Sequence, residues 1–386
     1  MKLKIPLLLK IVIAILLGVL CSLFFPTWLI RFFVTLNVLF GNLLGFIIPL
    51  LILGLVAPGI AELGKGAGKM LGVTTLIAYG STVLAGLFSY YICKLSYPSI
   101  LNQGEMVAQE FISDNAIEPY FTVDMPAVFG VTTALILAFV LGLTMIYIKG
   151  TTMKNLMFDL REIIIVLINK VIIPILPIYI FSIFLKMGGE GVVVNVMSLF
   201  IKVIAVIFVM HVLLLLVQFI IAGAVARKNP FVALKNMLPA YFTALGTQSS
   251  AATIPVTLAC AKKNGISDNI ADFVIPLCAT IHMSGSILKI VACAFAIAFM
   301  TGMPTDIGTY IEFIMLLGIT MVASPGVPGG AIMAALGVIA SVLGFDANLQ
   351  GLMIALYIAM DSFGTACNIT GDGAISMIVN RIFAKG

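Results

Sequence analysis

Four polar residues near the end of this chain, Asp361, Thr365, Asn368 and Asp372, stand at spacings of 0, +4, +7 and +11 in an otherwise apolar stretch. A helix turns about 100° per residue, so eleven steps bring the last residue to within about 20° of the first, and the four share one face. Each carboxylate on such a stripe costs about 2.5–3.5 kcal/mol or more at a membrane centre and calls for a partner. Three partners suit it chemically: a substrate ammonium, a metal cation, or the ammonium of Lys289.

Enzyme chemistry fits these residues poorly. Gly371-Asp372 bears only a faint resemblance to the glycine-aspartate element of intramembrane aspartyl proteases. Eleven residues of helix nevertheless hold the two carboxyls roughly 16 Å apart, whereas an acid–base dyad shares one site. Ser249, Ser250 and His282 could supply a nucleophile and a base, yet no G-x-S-x-G elbow accompanies them. Cys21, Cys93, Cys260, Cys278, Cys293 and Cys367 all lie in apolar runs without a C-x-x-C pair, which argues against a disulfide framework or a zinc site. His211, also in an apolar run, reads as a satisfied core histidine.

The elements that must position these residues are membrane helices. Of 386 residues 62% are hydrophobic and only 10% charged, too apolar a surface for any water-soluble core to hide. Apolar runs of about 20 residues recur along the chain, each long enough to cross the hydrocarbon as a helix. The opening "MKLKIPLLLKIVIAILLGVLCSLFF" has no small-x-small cleavage pattern after its apolar run and is expected to be the first span. Further spans are expected near residues 28–61, 68–97, 126–148, 163–187 and 192–226. Basic residues cluster in alternate loops: Lys2 and Lys4, Lys65 and Lys69, Lys149 with Lys154 and Arg161, Arg227 with Lys228 and Lys235, Lys262 and Lys263, and Arg381 with Lys385. By the positive-inside rule both termini are cytoplasmic, which suits a cell inner membrane. The loop carrying Glu105, Glu110, Asp114, Glu118 and Asp124 then lies outside. The net charge of +5 reflects the inner loops and gives no indication of nucleic acid binding.

From residue 237 onward a pattern occurs twice: a Ser/Gly/Pro-interrupted apolar segment, then a helix interrupted by polar residues and glycine. The first copy is "GTQSSAATIPV" (246–256) with "CATIHMSGS" (278–286); the second is "SPGVPGG" (324–330) with "GTACNITGDG" (364–373). Paired interruptions of this kind mark a transporter's binding site, because unwound backbone offers carbonyls and amides that lipid cannot satisfy but a desolvated ion or a carboxylate can. Segments 237–263 and 308–345 are therefore expected to be re-entrant hairpins from opposite sides of the membrane. An open channel is the alternative, although paired hairpins imply an occluded site.

The stretches "SSAATIPVTL" (249–258), "PLCATIHMSGS" (276–286), "SPGVPGGAIM" (324–333) and "DSFGTACNITGD" (361–372), in this order, resemble the dicarboxylate/amino acid:cation symporter family, which includes glutamate and aspartate transporters. The resemblance implies an all-α membrane protein with eight transmembrane helices plus two re-entrant helical hairpins in a glutamate-transporter-like elevator fold. It implies a homotrimer in lipid. Residues 1–66 (spans one and two) and 99–187 (the external loop with spans four and five) would form a scaffold. Residues 67–98 (span three) and 188–386 (span six, both hairpins, spans seven and eight) would form the moving transport domain. By matching motif, Asp361 would hold a substrate amino group and Asn368 its carboxylate. Ser249, Ser250, Ser286, Val327, Gly329, Gly364 and Thr365 would complete the substrate site. Asp372, with backbone near Cys278, His282 and Asn368, would form one sodium site, and Thr280, Met283 and Ser324 a second. A small molecule, an amino acid or a dicarboxylate, would travel with one or two sodium ions.

Departures from the family pattern refine the expectation. Where dicarboxylate-transporting relatives carry arginine in the last helix this chain has Gly364, and at the first hairpin tip it has Gln248. Without either guanidinium a side-chain carboxylate loses its bidentate partner, so a neutral amino acid is the expected substrate and a C4-dicarboxylate or acidic amino acid the alternative. The family's N-M-D-G-T reads "HMSGS" (282–286), which leaves a third sodium site without its aspartate. His282 and Lys289, seven residues apart on one helical face, are candidates for replacing a coupling ion, with protons as one alternative and a plain ion pair for Lys289 as the other.

Overall fold

The computed structural model describes residues 7–62, 69–104, 117–191, 193–322, 324 and 329–384, and every regular element among them is a helix. Of the charges used above for orientation, Lys2, Lys4, Lys65, Glu105, Glu110, Asp114 and Lys385 lie outside the described residues.

Five helices among the described residues are long and apolar enough to cross a membrane: Thr27–Ala61, Lys69–Ile100, Thr152–Gly189, Met197–Ala226 and Asp268–Met300. The pair Ala347–Ala359 and Asp361–Phe383, bent by 61° at its junction, is long and apolar enough only when its two helices are taken together. The helix Leu7–Ser22 (α1), with 16 residues, and Val131–Met145 (α4), with 15, are short of the roughly 20 residues that a full crossing needs.

Thr27–Glu62 (α2) packs against α4, and α1 against the second half of Thr152–Gly189 (α5). This fifth helix begins well before the expected residue 163. The segment "TMKNLMFDLREIIIVL" contains no breaker, and it turns Met157 and Ile164 inward. A π-helical turn at Ile168–Ile172 stands just before Pro174, whose ring has no amide to offer the preceding turn, and absorbs the missing bond.

The first hairpin is Pro230–Thr247 (α7) and Ser250–Lys263 (α8), so it starts seven residues earlier than the apolar run suggested. Asn229 explains the start: its side chain accepts from the amides of Phe231 and Val232 at 3.0 and 3.2 Å, and Pro230 takes the first helical position, where no amide is needed. The second hairpin is Ile307–Val322 (α11) and Gly330–Leu343 (α12), close to the expected 308–345.

Two helices run through the middle of the molecule. In Asp268–Met300 the chain breaks at His282 and Met283, which separates Asp268–Ile281 (α9) from Ser284–Met300 (α10), and 94% of its most apolar window is buried. Lys69–Ile100 (α3), at 28%, and Val193–Ala226 (α6), at 33%, leave their apolar flanks for lipid. The last span corrects the reading of its interruption. Asp361–Phe383 (α14) is continuous helix through residues 363–373, and the break falls at Met360, after Ala347–Ala359 (α13). The glycines that suggested fraying instead allow close packing: a Cβ at Gly371 would stand 2.8 Å from Gln218 and His282, and one at Gly373 2.7 Å from Met237.

Candidate functional site

Both hairpin ends and both broken spans meet at one cavity of about 20 Å³, room for about one water. Gln248 and Ser250 from the first hairpin and Ser324 and Ala331 from the second line it, with Met283 and Ser286 from the break in Asp268–Met300. Tyr357, Asp361, Thr365 and Asn368 complete the wall. At the first tip Gln248 adopts a left-handed conformation (φ 54°), and Ser249 caps α8 by accepting from the Ala252 amide at 3.3 Å. Across the cavity Gly329, also left-handed (φ 75°), directs its amide to Asp361 Oδ2 at 2.8 Å.

Asn368 solves the problem of a helix that starts inside the membrane. The first amides of α10 have no partner within their own helix and no water in lipid. Asn368 Oδ1 accepts from the amides of Gly285 at 2.7 Å and Ser286 at 3.2 Å, while Nδ2 donates to Ser286 Oγ at 3.0 Å. The contact needs glycine at 285: a Cβ there would lie 2.6 Å from both the Gly364 carbonyl and Cys367 Cβ. Gly285→Ala is expected to cost about 1–3 kcal/mol of stability by overpacking against backbone. Thermal denaturation in detergent checks this, and an unchanged midpoint would contradict the packing described.

The two aspartates have separate partners. Asp361 Oδ1 pairs with Lys289 Nζ at 2.9 Å. Asp372 Oδ1 meets His282 Nδ1 at 2.9 Å, while Asp372 Oδ2, with no exposure, has no hydrogen-bond partner among the described residues. His282 Nε2 lies 3.1 Å from Ser81 Oγ, and Gln218 Nε2 donates to both Ser81 and Ser284 at 3.1 Å. Gln218 Oε1 and Thr370 Oγ1 are, like Asp372 Oδ2, buried oxygens without a hydrogen-bond partner among the described residues. No three His, Cys, Asp or Glu side chains converge as a transition-metal site would require, among the described residues.

Seven of the residues expected at the site line the cavity: Ser250, Met283, Ser286, Ser324, Asp361, Thr365 and Asn368. Ser249 and Gly329 stand at its two tips. Gly364 backs Lys289, whose Cε and Nζ would be 2.8 Å from a Cβ there. His282 is turned toward Asp372, and the Cys278 carbonyl accepts the His282 amide at 2.8 Å. Thr280 departs from its expected place: its side chain is exposed and bonds its own helix at the Leu277 carbonyl, because α9 turns that position outward. Val327 lies outside the described residues. Ser81 is the serine that meets His282, while Ser249 caps α8 and Ser250 lines the cavity.

Sequence reasoning missed Ser81, Tyr357 and Gln218, and its reading of His211 as a satisfied core histidine needs correction. His211 Nε2 lies 3.0 Å from the Gly285 carbonyl, while its Nδ1 has no partner among the described residues, so it is only half satisfied. His211 and Gln218 are polar residues seven positions apart in an apolar run, and that spacing was the available signal.

A hairpin pair closing on a carboxylate between two broken spans is the architecture of a secondary transporter, and sequence comparison agrees. The model of the sodium:dicarboxylate symporter family matches residues 7–382, and the chain belongs to that family. Over 384 residues, 96% of this chain and 95% of the relative, it is 28% identical to the serine/threonine transporter SstT of Acinetobacter baumannii (strain AYE). Over 162 residues, 42% of this chain and 31% of the relative, it is 35% identical to excitatory amino acid transporter 3 of Mus musculus.

Proposed function

We propose that this protein is a sodium-coupled symporter of a small neutral amino acid of the serine, threonine or alanine type. The carrying observation is Asp361, a buried carboxylate on the wall of a cavity lined from both hairpin ends, with Gly364 and Gln248 where a side-chain carboxylate would need guanidinium partners. The substrate ammonium meets Asp361, and its carboxylate meets the Asn368 amide and the tip of the first hairpin. Sodium binds at Asp372, where one oxygen is unspent. Admitting a ligand of several heavy atoms to a cavity of about 20 Å³ requires a tip to move, and the second tip, held to Asp361 through the Gly329 amide, is the one whose bond the substrate ammonium replaces.

In this reading the chain forms eight spans and two hairpins and acts as a homotrimer in the inner membrane with both termini cytoplasmic. Spans one, two, four and five stay fixed while the rest slides as an elevator. The serine/threonine transporter similarity over nearly the whole chain supports the substrate class. One observation favours a dicarboxylate or acidic amino acid instead: the Lys289 ammonium lies against Gly364, close to where an arginine would otherwise project. That ammonium is already committed to Asp361 and does not line the cavity, so the neutral substrate is preferred.

Thermal stabilisation of the purified protein by a ligand panel, with and without sodium, tests this, since only ligands that prefer the folded state raise the midpoint. Serine, threonine or alanine should stabilise in sodium and fail to do so in its absence. Aspartate or succinate outcompeting them would overturn the assignment. Gln248→Arg, which adds a guanidinium on the cavity wall, should raise aspartate affinity relative to serine by about tenfold, as one charge-assisted pair allows. Competition binding checks the ratio, and an unchanged ratio would remove Gln248 from the specificity argument.

A further inference from the structure

Lys289 is the largest fully enclosed charged side chain among the described residues, with no exposure, and the transport reading above assigns it no role. It sits on α10 and reaches across to α14, 2.9 Å from Asp361 Oδ1 and 3.4 Å from the Met360 carbonyl. Its ammonium lies 3.4 Å from the centroid of the Tyr357 ring, a cation–π contact on α13. Space for the side chain is built in, because any Cβ at Gly364 would collide with it. Lys289 is absent from the cavity wall that Asp361 helps to form, so the ammonium compensates the carboxylate without occupying the substrate's space.

A symporter must bring its site back after unloading, and a bare carboxylate is strongly disfavoured inside the bilayer. A loaded site has the substrate ammonium as partner; an unloaded one must find another cation. We propose that Lys289 is the carrier's own counter-ion: it neutralises Asp361 whenever the substrate ammonium is gone, so the unloaded site returns across the membrane without a cation taken from solution. This rests on the symport reading. It predicts that loading is an exchange of partners on one carboxylate. As the Gly329 amide leaves Oδ2, the substrate ammonium becomes the carboxylate's counter-ion and Lys289 falls back on the Met360 carbonyl and the Tyr357 ring, to return to Oδ1 on unloading.

The test uses the reconstituted full chain and separates two modes. Net serine uptake into serine-free vesicles needs the unloaded return, whereas serine–serine exchange does not. Lys289→Met, which keeps the side chain's length, should lower net uptake by about tenfold or more, with exchange within about threefold of the wild type and serine affinity equal or higher, because a charge has lost its partner only in the unloaded site. Equal loss of both modes, or loss of neither, overturns the proposal. Lys289→Ala with methylammonium in the vesicle lumen provides a second reading: restored net uptake supports a charge role, and an exchange-competent protein that methylammonium does not restore opposes it. The wild type gives a third, free of any folding concern. Replacing all small luminal cations by N-methylglucamine should leave net uptake within about twofold, whereas a loss of about tenfold would show that return needs a cation from solution. A wild type that neither exchanges nor accumulates any amino acid would instead defeat the transport reading itself.

Discussion

Asp361→Asn is expected to abolish amino-acid binding and to cost about 3–5 kcal/mol of stability, the penalty for leaving one partner of a buried ion pair uncompensated. The substitution keeps the volume and an acceptor for the Gly329 amide, but it strands the Lys289 ammonium, whose remaining contacts are the Met360 carbonyl and the Tyr357 ring. The double variant Asp361→Asn/Lys289→Met removes both charges and should recover most of the lost stability, as replacing a whole buried pair often does. Binding should stay absent in the double variant, since the ammonium partner of the substrate is still missing. Thermal denaturation and serine-induced stabilisation of the three variants form a double-mutant cycle that isolates the pair. Near-additive stability losses would mean that Lys289 and Asp361 are not coupled, contrary to the geometry.

Asp372→Asn should act on the ion rather than on the fold. The carboxylate gives one oxygen to His282 Nδ1 and has the other unpartnered and fully enclosed. Asparagine keeps an oxygen for the histidine and loses the charge that a dehydrated cation needs. Sodium should then no longer raise the melting midpoint, and sodium-driven uptake should fall by about a hundredfold, equivalent to about 2.7 kcal/mol of lost ion binding. The variant protein should remain folded in detergent. Retention of sodium-dependent uptake in Asp372→Asn would place the coupling ion elsewhere.

The last helix shows what periodicity reveals and where it stops. The 0, +4, +7, +11 stripe was legible because helical geometry fixes which residues share a face, and three of its four members line the cavity. Lys289 was named as a candidate partner for the stripe because a buried carboxylate must have one, and it holds Asp361. The location of the break was not legible. Glycine serves both for unwound backbone and for close helix contact, and sequence alone does not distinguish the two. Gly364, Gly371 and Gly373 serve contact, against Lys289, Gln218 and Met237, while the chain turns at Met360, a residue with no intrinsic tendency to break a helix. The first hairpin began early for a local reason that could have been read, the Asn229-Pro230 start. The His282 partnership with Asp372 joins residues ninety positions apart through tertiary packing, which no local pattern encodes.

The central claim is that Asp361, on the wall of the cavity between the hairpin ends, and Asp372, three turns along the same helix face, are where an amino acid and a sodium ion load together. Radiolabelled serine uptake by proteoliposomes under an inward sodium gradient measures this directly. Accumulation above the external concentration that collapses when the gradient is dissipated is the expected result. Serine that merely equilibrates, or accumulates equally without sodium, would contradict it.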